Sequence, residues 1–471
     1  MKKIIKIIFP YKLYLHIFQL ERYDIKRSMS WVFSHFWQRK TQNKKPLVNT
    51  TKTKIIKLIS FSILVFIIVI SIILCNLLLG FIIILLLLIQ PYILIIISVY
   101  SIELLQIFVI NKAIKNTHKK IKSLKRVKVI GIAGSYGKTS VKNILYHLMS
   151  SNYKVLKTPL SYNTILGISR VVDLELDDSY DFFLCELGEF KKNDVLQMCQ
   201  MVDVSYGIMT GVNSQHLERF KNIQNTTSAI FELFDYLKKK NKKVVANFEN
   251  EYISNEIVKR EVLSDVISYG NQKSKIFADN IKFSDFGTEF DLVFDSARSR
   301  VKTPLLGKAH INNILGACTM AYEVGVPIEI IIKRIETIPK VSHRFEQTLL
   351  LDGCLLIDNS YSSNVDSFKE ALTILNGLQR KNKILVTPGM VELGKENEKI
   401  HLELGKLAKD SCTKVILVGN SSRTESLAKG IGKDKVIFMD DIKDIWKTFY
   451  SLGLNPKDSI IILENDLPDN Y

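Results

Sequence analysis

The sequence predicts an α/β protein: a central phosphate-loop domain and a C-terminal Rossmann-like, doubly wound domain, preceded by a two-helix transmembrane hairpin. Three observations carry this. Leu58–Tyr100 contains no charged residue. Residues 127–148 read as strand, glycine-rich turn and helix. After Arg344 the chain alternates short apolar strands with helical stretches, the pattern of a parallel sheet wrapped by helices.

The uncharged block is about twice the ~20 residues a helix needs to cross a bilayer. Asn76 and Gly80 offer a turn, and Gln90-Pro91 is a second interruption of a kind membrane helices tolerate. Two helices are expected, roughly 58–77 and 80–101, within a hairpin domain of residues 58–101. Basic residues bracket the block. Residues 1–57 hold 14 Lys/Arg against Glu21 and Asp24, and residues 111–128 hold eight Lys/Arg and no acid. Positive charge on both flanks places both ends, and the domains that follow, on the cytoplasmic side of a multi-pass protein of the cytoplasmic membrane. The chain's net charge of +18 lies almost wholly in these flanks. The folded part is close to neutral, so no nucleic-acid partner is expected; the lipid bilayer is.

Residues 1–57 mix aromatic and basic character: Tyr11, Tyr14, Phe18, Tyr23, Trp31, Phe33, Phe36 and Trp37 among the lysines and arginines. Two readings stay open, an amphipathic helix lying on the anionic membrane face and a helix packed on the catalytic domain. The six cysteines (75, 185, 199, 318, 354, 412) show no metal-ligand spacing and read as small buried hydrophobes in a reducing compartment.

Val127–Ala133 is an apolar strand, Gly134-Ser-Tyr-Gly-Lys-Thr-Ser140 the turn, and Val141, Ile144, Leu145 and Leu148 the buried stripe of a helix. That geometry aims backbone N–H groups and a helix N-terminus at phosphate. Gly134, Ser135, Tyr136, Gly137, Lys138, Thr139 and Ser140 are therefore expected to bind phosphate. Lys138 would reach the β- and γ-phosphates and the Thr139 hydroxyl would bind Mg²⁺. Ile132 stands where the general motif has its first glycine.

The loop resembles that of the Mur ligases, the ATP-dependent amide-bond ligases of peptidoglycan precursor synthesis, and most of all the members that add D-alanyl-D-alanine to a muramoyl-tripeptide. The resemblance continues in order: Thr158-Pro-Leu-Ser-Tyr-Asn163 with Gly167, Glu186-Leu-Gly188, His216-Leu-Glu218, Gly307-Lys-Ala-His-Ile-Asn-Asn313, His343-Arg-Phe-Glu346, Asp358-Asn-Ser-Tyr-Ser-Ser-Asn364 and Pro388-Gly-Met-Val-Glu-Leu-Gly394. It implies that the phosphate bound by residues 134–140 is that of ATP. It implies a central ATP-binding domain over residues 120–340 and a C-terminal domain over 341–471. It implies Mg²⁺ ligation by Glu186 and His216, substrate contact by Asn163, adenine-side contact by Asn312 and Asn313, ribose contact by Asp358, and phosphate contact by Arg344. Lys138, Glu186, His216 and Arg344 are the expected catalytic set, with ATP and Mg²⁺ as cofactors. A muramoyl-peptide precursor and D-alanyl-D-alanine are the expected small-molecule partners. The Glu186 role also follows from the residues themselves, and the Arg344 role agrees with its chemistry, although the residues alone favour a surface ion pair there. Glu186 ends a buried strand beside the phosphate loop, where a Mg²⁺ ligand belongs. Arg344 is a planar cation that can neutralise charge as phosphate transfers.

Two positions and one whole segment depart from the family pattern. The second asparagine after Asn163 is Thr164. Ile230 stands where the family has a carbamylated lysine bridging its metals; a shifted register, a differently held second metal and reduced activity are all open, and Glu232 is expected to point elsewhere on its helix. The membrane hairpin takes the place of the family's UDP-binding domain, which leaves recognition of a UDP group open. The implied function is a membrane-anchored, ATP-dependent carboxylate–amine ligase working through an acyl phosphate. The alternatives are a catalytically weakened scaffold of the cell-wall machinery and a ligase of the folate-polyglutamylating kind.

Overall fold

The structure is a computed structural model and describes residues 10–21, 23–34, 47–74, 77–89, 91–159, 162–189, 191–213, 223–360, 364–390, 393 and 396–465. Phe36, Trp37, Cys75, Asn76, Gln90, His216 and parts of the motifs at 358–364 and 388–394 lie outside the described residues. The chain divides into two compact units; among the described residues, one runs up to Lys112 and the other from Ala113 to Asn465.

The first unit is helical: α1 (Tyr11–Leu20), α2 (Ile25–Ser34), α3 (Thr51–Ile73), α4 (Leu77–Ile89) and α5 (Tyr92–Ser123), whose last turns belong to the second unit. Thr50 caps α3 by accepting the Thr53 N–H at 3.2 Å. By length and composition α3 and α5 are long and apolar enough to cross a membrane, and α4 is a shorter apolar helix. Leu58, Phe61, Phe66 and Ile73 on α3 face outward, as do Leu104, Leu105 and Phe108 on α5.

Two details differ from the sequence expectation. Gly80 lies inside α4 rather than at a turn. A Cβ there would fall 1.9 Å from Ser71 Oγ, so glycine lets α4 approach α3. The helix expected over 80–101 is divided, because Pro91 opens α5, accepting the Ile95 N–H at 3.2 Å. Proline has no N–H to offer a preceding turn and is tolerated where a helix begins.

Within the first unit, α1 packs on the apolar helices. Its Tyr14, Leu15, Ile17 and Phe18 are buried against Ile56 of α3 and Ile95, Val99 and Ile102 of α5. Tyr11 Oη donates to Ser60 Oγ at 3.0 Å, and Ser60 and Ser98 hydroxyls pair at 3.0 Å, joining α1, α3 and α5.

The second unit holds two sheets. The nine described strands of the first are β1 (Lys128–Ala133), β2 (Val155–Lys157), β3 (Phe182–Glu186), β4 (Tyr206–Met209), β5 (Val244–Asn247), β6 (Val266–Gly270), β7 (Ile276–Ser284), β8 (Gly287–Phe294) and β9 (Ala297–Thr303). Their spatial order is β2-β3-β1-β4-β5-β6-β7-β8-β9. It is parallel from β2 to β7, and β7, β8 and β9 pair antiparallel. β1 is buried on both faces. Val129 and Ala133 join one core with α7 (Ile165–Glu175), α8 (Asp194–Val202), α9 (Ile223–Lys238) and α10 (Glu251–Lys259). Ile130 and Ile132 join the opposite core with α6 (Lys138–Met149), α11 (Lys308–Glu323) and α12 (Ile328–Ile335). A strand covered on both sides reads as a continuous apolar run, as residues 129–133 do.

The second sheet comprises β10 (Glu346–Leu349), β11 (Leu355–Asn359), β12 (Asn382–Thr387), β13 (Lys414–Val418), β14 (Val436–Met439) and β15 (Ser459–Glu464), ordered β10-β11-β15-β12-β13-β14. Strands β11 to β14 are parallel, with α13 (Val365–Gly377), α14 (Asn397–Ser411), α15 (Ser422–Ile431) and α16 (Ile445–Ser451) between them. The first of the apolar runs after Arg344 is an antiparallel hairpin of β10 and β11 rather than one strand, turned at Asp352-Gly353, a dipeptide suited to a turn.

Candidate active site

The phosphate loop runs from the end of β1 into α6. Two backbone conformations there require glycine. Gly134 has φ +147° and its Cβ would fall 2.1 Å from Thr210 Oγ1; Gly137 has φ +79° and its Cβ would fall 2.6 Å from Asn313 Oδ1. The loop is braced from β4's exit. Ser135 N–H donates to Gly211 O at 2.8 Å, and the Thr210 hydroxyl donates to Tyr136 O. Asn247 in turn donates to Thr210 O at 2.8 Å, and Asn250 donates to Val212 O at 2.8 Å.

Glu186 ends β3 one strand away, in register with Ile132. Its carboxylate is 1 % exposed. The Thr139 hydroxyl donates to Oε2 at 3.0 Å, and Lys142 Nζ lies 2.6 Å from Oε1. Three residues further on, Glu189 carries a second buried carboxylate. Burial raises its pKa, against the opposing charge of Lys138, whose Nζ donates to Oε1 and Oε2 at 3.1 and 3.0 Å and also to Gly134 O. Two lysines and two carboxylates thus balance beside the loop. Neither Lys142 nor Glu189 was flagged by the motifs. Lys142 sits at helical spacing from Lys138 and Thr139, the one signal that could have found it; Glu189 follows the Glu186-Leu-Gly188 run with no such signal.

The other site residues fall in three places. Asn163 accepts the Gly188 N–H at its carbonyl at 3.0 Å, which ties it to the strand end that carries Glu186. Thr164 caps α7 by accepting the Gly167 N–H at 3.2 Å, a duty threonine and asparagine share. Asn313, on α11, reaches the loop at Gly137, with Asn312 beside it in sequence. From the same helix His310 Nε2–H donates to Arg344 O at 3.1 Å. Burial pushes His310 down to about 4. Glu370 of α13 accepts the Ala309 N–H at 2.7 Å, capping α11 from the second sheet's side. Asp358 accepts from His343 Nδ1 at 2.7 Å and from Ser360 N–H at 3.0 Å. Burial would raise its carboxyl, but those two bonds hold it below the usual range. His216 is outside the described residues.

Ile230 is wholly buried on α9 within the core that includes Phe231, Phe234 and Met198. Glu232 points to α8, accepting the Asn193 and Leu196 N–H groups at 2.7 and 3.0 Å. The five described cysteines are free and buried.

A glycine-turned loop after a central parallel strand, a lysine and a threonine at its helix N-terminus, and a strand-end carboxylate beside it define a phosphate-loop nucleotide-binding protein. A family model for the Mur ligase middle domain matches residues 132–321, and one for the Mur ligase glutamate ligase domain matches 343–463. The chain belongs to the Mur ligase family. The UDP-N-acetylmuramoyl-tripeptide--D-alanyl-D-alanine ligase of Buchnera aphidicola subsp. Acyrthosiphon pisum (strain APS) is 28% identical over 302 residues, covering 63% of this chain. The match spans 65%, just under two thirds, of that relative's length. MurF from Acinetobacter baumannii has the same fold, with a TM-score of 0.65 at 20% identity over 75% of this chain and 76% of its own. MurF ligase from Thermotoga maritima, solved in complex with ADP, gives 0.64 at 20% identity over 75% and 80%.

Proposed function

We propose that this protein is an ATP-dependent amide-bond ligase of peptidoglycan precursor synthesis, joining D-alanyl-D-alanine to a muramoyl-peptide, anchored at the cytoplasmic membrane by α3 and α5. The observation that carries it is the phosphate loop with Lys138 at its helix start and the Thr139 hydroxyl 3.0 Å from Glu186. A hydroxyl and a carboxylate are hard oxygen donors, which fits Mg²⁺. When bound there, Mg²⁺ would offset the repulsion between ATP and an anionic substrate.

The chain's own residues have separate tasks. Gly134–Thr139 present backbone N–H groups to the phosphates. Lys138 leaves Glu189 and moves to the β/γ-phosphates. Asn313 and Asn312 take the adenine side, Asp358 the ribose and Arg344 the transferring phosphate. A substrate carboxylate, positioned near Asn163, attacks the γ-phosphorus and releases ADP. The amine of the dipeptide then attacks the acyl carbon, a proton leaves the nitrogen, and phosphate departs. No side chain has to serve as nucleophile.

Because the family domains are joined to apolar helices, the donor is expected to be membrane-linked. Assaying the detergent-solubilised full chain with the lipid-linked muramoyl-tripeptide and with its UDP-linked counterpart tests this. Higher turnover on the lipid-linked donor is expected; clear preference for the UDP form defeats the membrane-donor reading. One observation favours the scaffold alternative: Ile230, buried in the core, cannot carry a carbamate. ADP formation that depends on D-alanyl-D-alanine excludes it.

A further inference from the structure

Lys142 is wholly buried beside the phosphate loop. It lies three residues after Thr139 on α6, so both side chains leave the same face of the helix. They meet one carboxylate from two sides: Thr139 Oγ1 on Glu186 Oε2 at 3.0 Å, Lys142 Nζ on Oε1 at 2.6 Å. Lys142 Nζ is also 3.4 Å from the hydroxyl of buried Thr158. A buried ion pair is weak grounds for stability, because an apolar pair of similar volume often serves as well or better. Orientation is what the pair adds. With Oε1 held by the ammonium, Glu186 cannot turn, and only Oε2 is presented beside the Thr139 hydroxyl.

We propose that Lys142 is a positioning residue for the divalent-cation site: it pins Glu186 so that one carboxylate oxygen and the Thr139 hydroxyl face the cation together. This rests on reading the loop as a Mg²⁺–nucleotide site, and it assigns Lys142 no contact with nucleotide. The test is calorimetric titration of ADP, with and without Mg²⁺, into the full-length detergent-solubilised chain. In wild type, Mg²⁺ strengthens ADP binding. In Lys142→Met, Mg²⁺-free affinity is expected to stay within about twofold while the Mg²⁺ enhancement falls about tenfold or more, on the scale of outer-shell losses at metal sites. An unchanged enhancement in Lys142→Met overturns the proposal. A wild type that binds no Mg²⁺–ADP instead defeats the nucleotide-site reading beneath it. If Lys142→Met does not fold, Glu186→Gln is compared with Lys142→Met/Glu186→Gln, which removes both charges. Equal Mg²⁺ dependence of these two supports action through Glu186; a further loss in the double variant overturns it.

Discussion

Replacing Lys138 by alanine is expected to lower ADP-forming turnover by on the order of 10²–10³-fold or more, the scale seen when one preorganised charge-stabilising donor is removed. Folding enters the result as well. Lys138 is the cation held by Glu189, whose side chain is 3 % exposed. The single variant strands a buried acid, so its melting temperature should fall. Lys138→Ala/Glu189→Gln separates the two effects. It should recover the melting temperature, because a neutral amide needs no cation, and it should stay inactive. Recovery of turnover with stability would show that Lys138 acts only as a structural partner.

The second large effect is a pH-dependent stability centred on the N-terminus of α11. Burial pushes the Glu370 carboxyl up to about 7, against the Ala309 and Lys308 N–H groups and the Lys308 charge, while Asp366 adds to the rise. Between about pH 4.5 and 7 the folded chain therefore keeps a proton that the unfolded chain has lost. Stability present below that window is lost as pH rises through it, by about 3 kcal/mol. His310 works in the opposite direction. Burial, with a smaller contribution from the Arg344 charge and against the bond to Arg344 O, holds it at about 4. The unfolded chain takes up a proton below about pH 6.5 that the folded chain refuses, so stability falls as pH drops from 6.5 towards 4. The two slopes oppose each other across pH 4.5–6.5. Glu370→Gln keeps an oxygen to accept the Ala309 N–H and removes one slope. The variant should melt close to wild type near pH 4.5 and several degrees higher at pH 8. A constant offset at every pH would contradict this.

How much of this was legible beforehand follows from the range of each interaction. The phosphate loop is a local signal. Glycines, Lys138, Thr139 and the apolar strand before them lie within a dozen residues, and the conformation they need is written in their types. Glu186 was legible because a carboxylate ends a buried strand. Lys142 and Glu189 were not, since their meaning lies in a partner brought from another element. Glu370 was invisible for the same reason, capping a helix that begins 62 residues earlier in the chain. The apolar segments are plain from composition, but composition alone does not distinguish a proline tolerated inside a membrane helix from one that, like Pro91, begins α5. The aromatic and basic pattern of α1 suits a membrane face and a packed helix alike and names no packing partner. In the structure it is α3 and α5 that cover Tyr14, Leu15 and Phe18.

The most direct test of the account is ADP formation by the detergent-solubilised full chain supplied with ATP, Mg²⁺, a muramoyl-tripeptide donor and D-alanyl-D-alanine, omitting each in turn. The account predicts ADP and phosphate in equal amounts, with a new amide product, only when donor and dipeptide are both present. Hydrolysis of ATP indifferent to both, or none under any combination, would contradict it.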